Sequence, residues 1–232
     1  MELMTQDGYF FLLRWVHFLA GITWIGVLYY FNFIQTPFFG TDLGGTARSA
    51  MMRGLVPNAL WWFRWGAMFT FLSGWAIVIS HMVTGTGGMA YYALVLTGGA
   101  MGTLMWFNVW FVIWPIQKIA IASAEQVAGG GEAIPEAGAR APIAGRASRT
   151  NTLLSIPMLF FMGAARHFQS LNSADPQYAA YFVAAGVVIL VIELNAFYGP
   201  GATQRVLGTV TSTITGGFVA TAVLFLFASA ML

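Results

Sequence analysis

An all-α integral-membrane bundle of six transmembrane helices, with both termini periplasmic, is the fold class this chain predicts. Three observations point to it. Hydrophobic residues make up 58% of the chain and charged residues only 8%, against roughly 45–50% and 25% in soluble domains. The apolar residues gather into six runs, each long enough at 1.5 Å per residue to cross a hydrocarbon core of about 30 Å. Eight of the ten Lys and Arg fall on one side of those runs. Backbone groups in lipid must be satisfied within the segment, so the runs are predicted as helices.

The first run, about 9–34, carries Arg14 and His17 near its start. The preceding "MELMTQDGYF" is acidic and no small-residue cleavage site follows the run, so it is read as a retained helix and not a signal peptide. Residues 35–59, "QTPFFGTDLGGTARSAMMRGLVPNA", hold a short interfacial helix at most. The second run, about 60–83, opens on "WWFRW", an interfacial aromatic belt, and has His81 near its end. The third, about 91–114, has Gly98, Gly99 and Gly102 in its first half and ends on "MWFNVWFVIW", a second belt. Residues 115–152 are rich in Ala, Gly and Pro and poor in large apolar side chains, which predicts a mobile cytoplasmic loop. The last runs are about 153–171, ending on Arg166 and His167, then 178–198 with Glu193, and 210–231. No internal repeat or second domain breaks the pattern, so residues 1–232 form one transmembrane domain.

Arg48, Arg53, Arg64, Lys118, Arg140, Arg146, Arg149 and Arg205 share one side, while Arg14 and Arg166 lie on the other. The positive-inside rule makes the crowded side cytoplasmic and puts the termini outside. A multi-pass protein of the bacterial inner membrane, with the lipid bilayer as its first partner, follows. The basic residues form no stripe, which argues against nucleic acid. The absence of cysteine excludes disulfides, thiolate metal sites, iron–sulfur clusters and the attachment motif of a c-type haem.

In this orientation His17, His81 and His167 all lie toward the periplasmic face. An ionisable side chain within a membrane helix is costly and points to function, although an interfacial histidine bonded to a headgroup or carbonyl is the competing reading for each. Haem b fits the chemistry: two imidazoles from different helices hold its iron and no cysteine is needed. His17 and His81 are the expected iron ligands, with His167 as the alternative, and Arg14 and Arg166 would neutralise propionates. Gly21 and Gly74 offer room for the macrocycle. A zinc or copper site from the same imidazoles is weaker, because no carboxylate accompanies them. On the cytoplasmic side Asn32, Asn108, Asn195 and Glu193 form a second polar set. It reads as a neutral carboxyl and amides joining helices, with a proton relay or quinone site as the sharper alternative.

Three stretches, "RWVHFLAGITWIGVLYYFNF", "FNVWFVIWPIQK" and "RASRTNTLLSIPMLFFMGAARHF", together resemble the membrane domain of the bacterial membrane-bound urate oxidase (urate hydroxylase) family. Longer members of that family join this region to a periplasmic c-type cytochrome domain. The resemblance is clear over the first four helices and rests on hydropathy in the last two. It implies His17, Trp24, Asn108, Asn151 and His167 as family positions. It also exposes departures: the chain is a short form without a cytochrome domain, and where the family pattern is "HWFKWEA" it has "WWFRWGA", with Trp61 and Gly66. His81 is not a position of the urate-oxidising members.

These readings converge on a haem b protein relaying electrons near the periplasmic face. Its expected partners are a periplasmic cytochrome c or respiratory-complex subunits. Membrane-bound oxidation of urate or another small reductant, with His167 as acid–base residue, is the enzymatic alternative. A structural or assembly subunit of a membrane complex is the non-redox one.

Overall fold

The computed structural model describes residues 2–168, 171 and 175–232. Six long helices run antiparallel in chain order: α1 (Gln6–Phe39), α2 (Asp42–Thr84), α3 (Met89–Ala128), α4 (Pro135–His167), α5 (Tyr178–Tyr198) and α6 (Val210–Met231). Short helical turns cover Glu2–Met4, Gly201–Gln204 and Arg205–Leu207. Among the described residues there is no strand.

Local signals set the helix ends. The Thr5 and Thr41 hydroxyls accept the backbone N–H of Gly8 and Gly44 and so cap α1 and α2. Thr209 and Ser212 form a reciprocal capping box on α6. Gly85, at φ 64°, takes the left-handed conformation that ends α2. Two π-helical turns interrupt the ladders, Tyr30–Gln35 in α1 and Asn108–Ile113 in α3. At the first, the Asn32 amide donates to the Leu28 carbonyl and to Ser148 Oγ, so a side chain takes over a carbonyl of the ladder.

Helices α1 and α2 form one closely packed pair and α3 and α4 another, while α5 and α6 lie behind α4. α4 touches α1, α3, α5 and α6 and is the centre of the bundle. Large apolar side chains cover the outside, among them Phe18, Ile22, Phe69, Val187, Leu190, Phe218 and Leu226. Small and polar ones such as Thr150, Asn151, Thr152 and Ser155 are buried at the centre. This distribution suits a lipid surround, since helices packing in lipid associate through small and polar contacts.

Five helices, all but α4, are long and apolar enough to cross a membrane. The prediction counted six. α4 falls short because its central position calls for polar residues, Thr150 to Ser155, where its neighbours carry side chains toward lipid. The predicted mobile loop over 115–152 is also corrected. α3 continues to Ala128, a turn follows, and α4 already begins at Pro135. The turn is closed by Ile134 N–H to Ser123 Oγ at 3.0 Å and by the Gln126 amide to the Glu132 carbonyl at 2.8 Å. Alanine-rich sequence has high helix propensity even without apolar periodicity, and a proline at the first helical position starts α4. Likewise, α2 begins at Asp42 and absorbs most of the predicted 35–59 connection. The predicted fourth span reached 171; α4 ends at His167, and residues 169 and 170 lie outside the described residues.

Candidate functional site: a histidine- and arginine-lined cleft

All five residues singled out at the periplasm-assigned end, Arg14, His17, His81, Arg166 and His167, line a single cleft between α1, α2, α3 and α4. Its volume is about 1180 Å³, above the roughly 300–1,000 Å³ of most small-molecule pockets. Gly21, Gly74, Gly99, Gly102 and Gly163 thin its walls. Phe18 and Ile22 line it although 66% and 72% exposed, so it opens sideways onto the lipid-facing surface beside α1. In the other half of the bundle the same gap is shut, where Tyr29 and Ser155 hydroxyls meet at 2.9 Å and Asn32 reaches Ser148.

His17 projects from α1 onto α2. A Cβ on Gly74 would stand 2.9 Å from its Cε1, so the glycine is the cradle of the imidazole. Ser73 Oγ donates to the Phe69 carbonyl at 2.5 Å, and its remaining lone pair faces His17 Nδ1 at 3.1 Å. His17 Nδ1–H therefore donates to Ser73, which leaves Nε2 as the lone-pair nitrogen. An analogous chain fixes His81. Thr84 Oγ1 donates to the Ser80 carbonyl at 2.8 Å, Thr86 Oγ1 donates to Thr84 Oγ1 at 2.9 Å, and His81 Nδ1–H donates to Thr86 Oγ1 at 2.6 Å. His81 Nε2 then accepts from Arg14 Nη2 at 3.3 Å. Its ring stacks on Phe10 at 4.3 Å and meets the edge-on ring of Tyr91 at 5.4 Å.

His17 and His81 stand on the α1–α2 wall, with His81 seven residues and roughly 10 Å along the axis from Gly74. Arg166 and His167 come from α4. The fields of Arg14 and Arg166 both reach His81 and Tyr91, and among the described residues no carboxylate lines the cleft. Its mouth therefore attracts anions. Trp24, 1% exposed, lines the cleft with an indole N–H that has no partner.

Among the described residues no three His, Cys, Asp or Glu side chains come together as a metal-binding group. A haem would need two imidazole nitrogens, and the cleft offers the residue types for it: His17 and His81 with Nδ1–H engaged, His167 from α4, and two arginines for carboxylates.

Comparison with known proteins gives one result. The family described as Urate oxidase N-terminal matches residues 87–228. The chain belongs to this family. Neither a curated protein nor a solved structure matches it. The match covers α3 to α6, and "RWVHFLAGITWIGVLYYFNF", Trp61, Gly66 and His81 precede it. Two of the quoted stretches fall within the urate oxidase N-terminal region, and their asparagines bond to one another. Asn108 Nδ2 donates to Asn151 Oδ1 at 2.9 Å, and Asn151 Nδ2 donates to the Met105 carbonyl at 2.9 Å. Together they clamp α3 to α4 in this urate oxidase-type domain. Asn195, grouped with them from sequence, is elsewhere: its amide faces the Thr203 carbonyl after α5.

Replacing Asn151 with leucine removes two buried hydrogen bonds and leaves the Met105 carbonyl to its helical partner alone. Interhelical hydrogen bonds in membranes are worth about 0.6 kcal/mol each, and up to about 1.7. Asn151→Leu is expected to lower stability by about 1–3 kcal/mol, measured as an earlier midpoint in denaturant.

Ser73, Thr86 and Tyr91 were not singled out from sequence. Thr86 could have been, as the residue just past the Gly85 helix end beside His81. The pairing of Ser73 with His17 spans most of two helices and leaves no local signal.

Proposed function

We propose that the chain is a membrane-integral redox protein of the bacterial inner membrane, holding one haem b in the cleft and passing single electrons near the periplasmic face. The observation that carries this reading is the pair of imidazoles on one cleft, each with Nδ1–H engaged and Nε2 left as the lone-pair atom, beside two arginines, with no carboxylate among the described residues that line the cleft. His17 and His81 would hold the iron, with His167 as the alternative ligand, and Arg14 and Arg166 would pair with the propionates. When bound, the group supplies a one-electron couple. The chain's own residues do the rest. Ser73 and Thr86 hold the imidazoles in their tautomers. Arg14 leaves His81 Nε2 for a carboxylate, a stronger partner for a guanidinium. The α1–α2 packing at Gly74 fixes the depth of His17. Six membrane crossings, α4 included, and periplasmic termini belong to the same reading, as do a periplasmic cytochrome c or respiratory-complex subunits as electron partners.

The test is an absorption spectrum of the purified protein, oxidised and then dithionite-reduced. A Soret band with sharp reduced α and β bands is expected; a colourless, folded preparation overturns the reading. Orientation is tested apart from the cofactor. A reporter fused after Leu232 is expected to be active in the periplasm and one inserted at Gly130 in the cytoplasm, and the reverse pattern contradicts the placement of the cleft.

Urate oxidation is favoured by one observation, the family membership, and the cationic mouth suits an anionic substrate. A haem relay without a urate site predicts no urate consumption by purified protein supplied with an external electron acceptor. Turnover that disappears in His167→Ala would favour the enzymatic reading.

A further inference from the structure

At the end of the bundle away from the cleft, α2 and α3 hold two cations against one indole. The Arg64 guanidinium carbon stands 3.4 Å from the centroid of the Trp114 ring and 5.6 Å from that of Trp110. Lys118 Nζ stands 5.7 Å from the same Trp114 centroid. Register brings them together. Trp110, Trp114 and Lys118 follow one another at intervals of four along α3 and share a face, which Arg64 meets from α2. Arg64 Nε donates to the Leu60 carbonyl one turn back in its own helix, at 3.2 Å, and the neighbouring Trp65 makes a T-shaped contact with Trp110 at 5.7 Å. Stack and tether together hold the guanidinium plane in place.

The rings engage the faces of these cations and leave their N–H groups free. Among the described residues neither the Arg64 Nη atoms nor Lys118 Nζ has a hydrogen-bond acceptor, and the ion pair found there is Arg140 with Glu136. The two helices supply no carboxylate: from residue 43 to residue 124 the chain carries no Asp or Glu. The cations stand no further apart than their two distances from the Trp114 centroid taken together, about 9 Å. One phosphate spans such a gap with a charge-assisted hydrogen bond of about 2.8 Å to each side. The surroundings indicate which phosphate. Trp61, Trp62, Phe107 and Phe111 of the same two helices are exposed, and Trp61 continues to Trp110 through Trp65 at ring distances of 6.4 and 5.7 Å. Exposed tryptophans of this kind sit at the headgroup level of a bilayer, and basic pockets between membrane helices take anionic lipid headgroups.

We propose that Arg64 and Lys118, held on Trp114, bind the phosphate of an anionic phospholipid whose acyl chains lie against the exposed aromatic face of α2 and α3. The site is separate from the cleft and stands whether or not haem is bound there. Tryptophan fluorescence of the purified full chain tests it, in phosphatidylcholine vesicles carrying brominated phosphatidylglycerol or, at the same mole fraction, brominated phosphatidylcholine. Phosphatidylglycerol is expected to quench more strongly, and high salt to shrink the excess. Replacing both cations, Arg64→Gln with Lys118→Gln, is expected to cut the preference by about fivefold per charge removed. Lys118 is exposed, so Lys118→Gln alone should fold and lose about fivefold, which keeps the test intact if the double variant does not fold. Arg140→Gln, which removes a cation already paired with Glu136, should leave the preference unchanged. Equal quenching by the two lipids in the wild type overturns the proposal, and protection of that protein against heat by inorganic phosphate at constant ionic strength would then assign the pair to a soluble phosphate. A preference that survives in Lys118→Gln, or one lost equally in Arg140→Gln, overturns it as well.

Discussion

His17→Ala is expected to yield a folded protein that retains no haem. His17 is held through Ser73 and cradled against Gly74, and it is His17 Nε2, unlike His81 Nε2 with its Arg14 partner, that faces no side chain in the hydrogen-bond network. An iron–nitrogen bond from His17 would have no imidazole substitute at that depth of the α1–α2 wall, where Thr70, Ser73 and Gly74 are its neighbours. The fold should survive, since the imidazole supplies one hydrogen bond, typically about 1 kcal/mol net. His81→Ala should likewise abolish the six-coordinate low-spin spectrum, and often retention of the group. His167→Ala should leave it bound with a small shift in potential, because groups outside the coordination sphere tune a metal centre without holding it. If His81→Ala keeps the low-spin spectrum and His167→Ala loses it, the ligands are His17 and His167, across the cleft from α1 to α4.

Gly66→Glu should prevent assembly of the bundle. Gly66 lies where α2 crosses α1: a Cβ there would sit 3.0 Å from the Trp24 backbone nitrogen and 3.3 Å from the Ala20 carbonyl. Backbone atoms cannot move aside as a flexible side chain can. Overpacking alone costs about 1–3 kcal/mol, and a carboxyl forced between two membrane helices adds about 2.5–3.5 kcal/mol on insertion scales. The loss should appear as aggregation or failure of membrane insertion, and Gly66→Ala should show a milder version. The result bears on the family pattern. Where the sequence-level pattern places a glutamate, this chain has a helix contact that leaves no space for one, so the departure is built into the α1–α2 packing. A folded, monodisperse Gly66→Glu protein would show that α1 and α2 are further apart than described.

What the sequence makes legible follows from its solvent. Lipid imposes long apolar runs, and so α1, α2, α3, α5 and α6 are readable within a few residues through the membrane. α4 is recognisable as well, but its polar centre, Thr150 to Ser155, reflects contact with other helices, a property that hydropathy reports only as weakness. The 115–152 segment misleads for a related reason. Without large apolar residues it looks unable to bury a core, yet alanine makes helix by backbone preference, and Ser123 closes the hairpin from a distance. At the cleft, the residue types and their side of the membrane are readable from charge asymmetry and histidine chemistry. Their neighbours are not: Ser73 beside His17, Arg14 on His81 and Asn108 on Asn151 are set by helix register, which no local pattern encodes.

The central claim is that the cleft holds one haem b through His17. The most direct measurement is the haem content of purified, folded wild-type protein by pyridine haemochrome assay, with His17→Ala alongside. The account predicts about one haem b per chain in the wild type and none in the variant. Wild-type protein without haem, or a variant that keeps the wild-type amount, would contradict it.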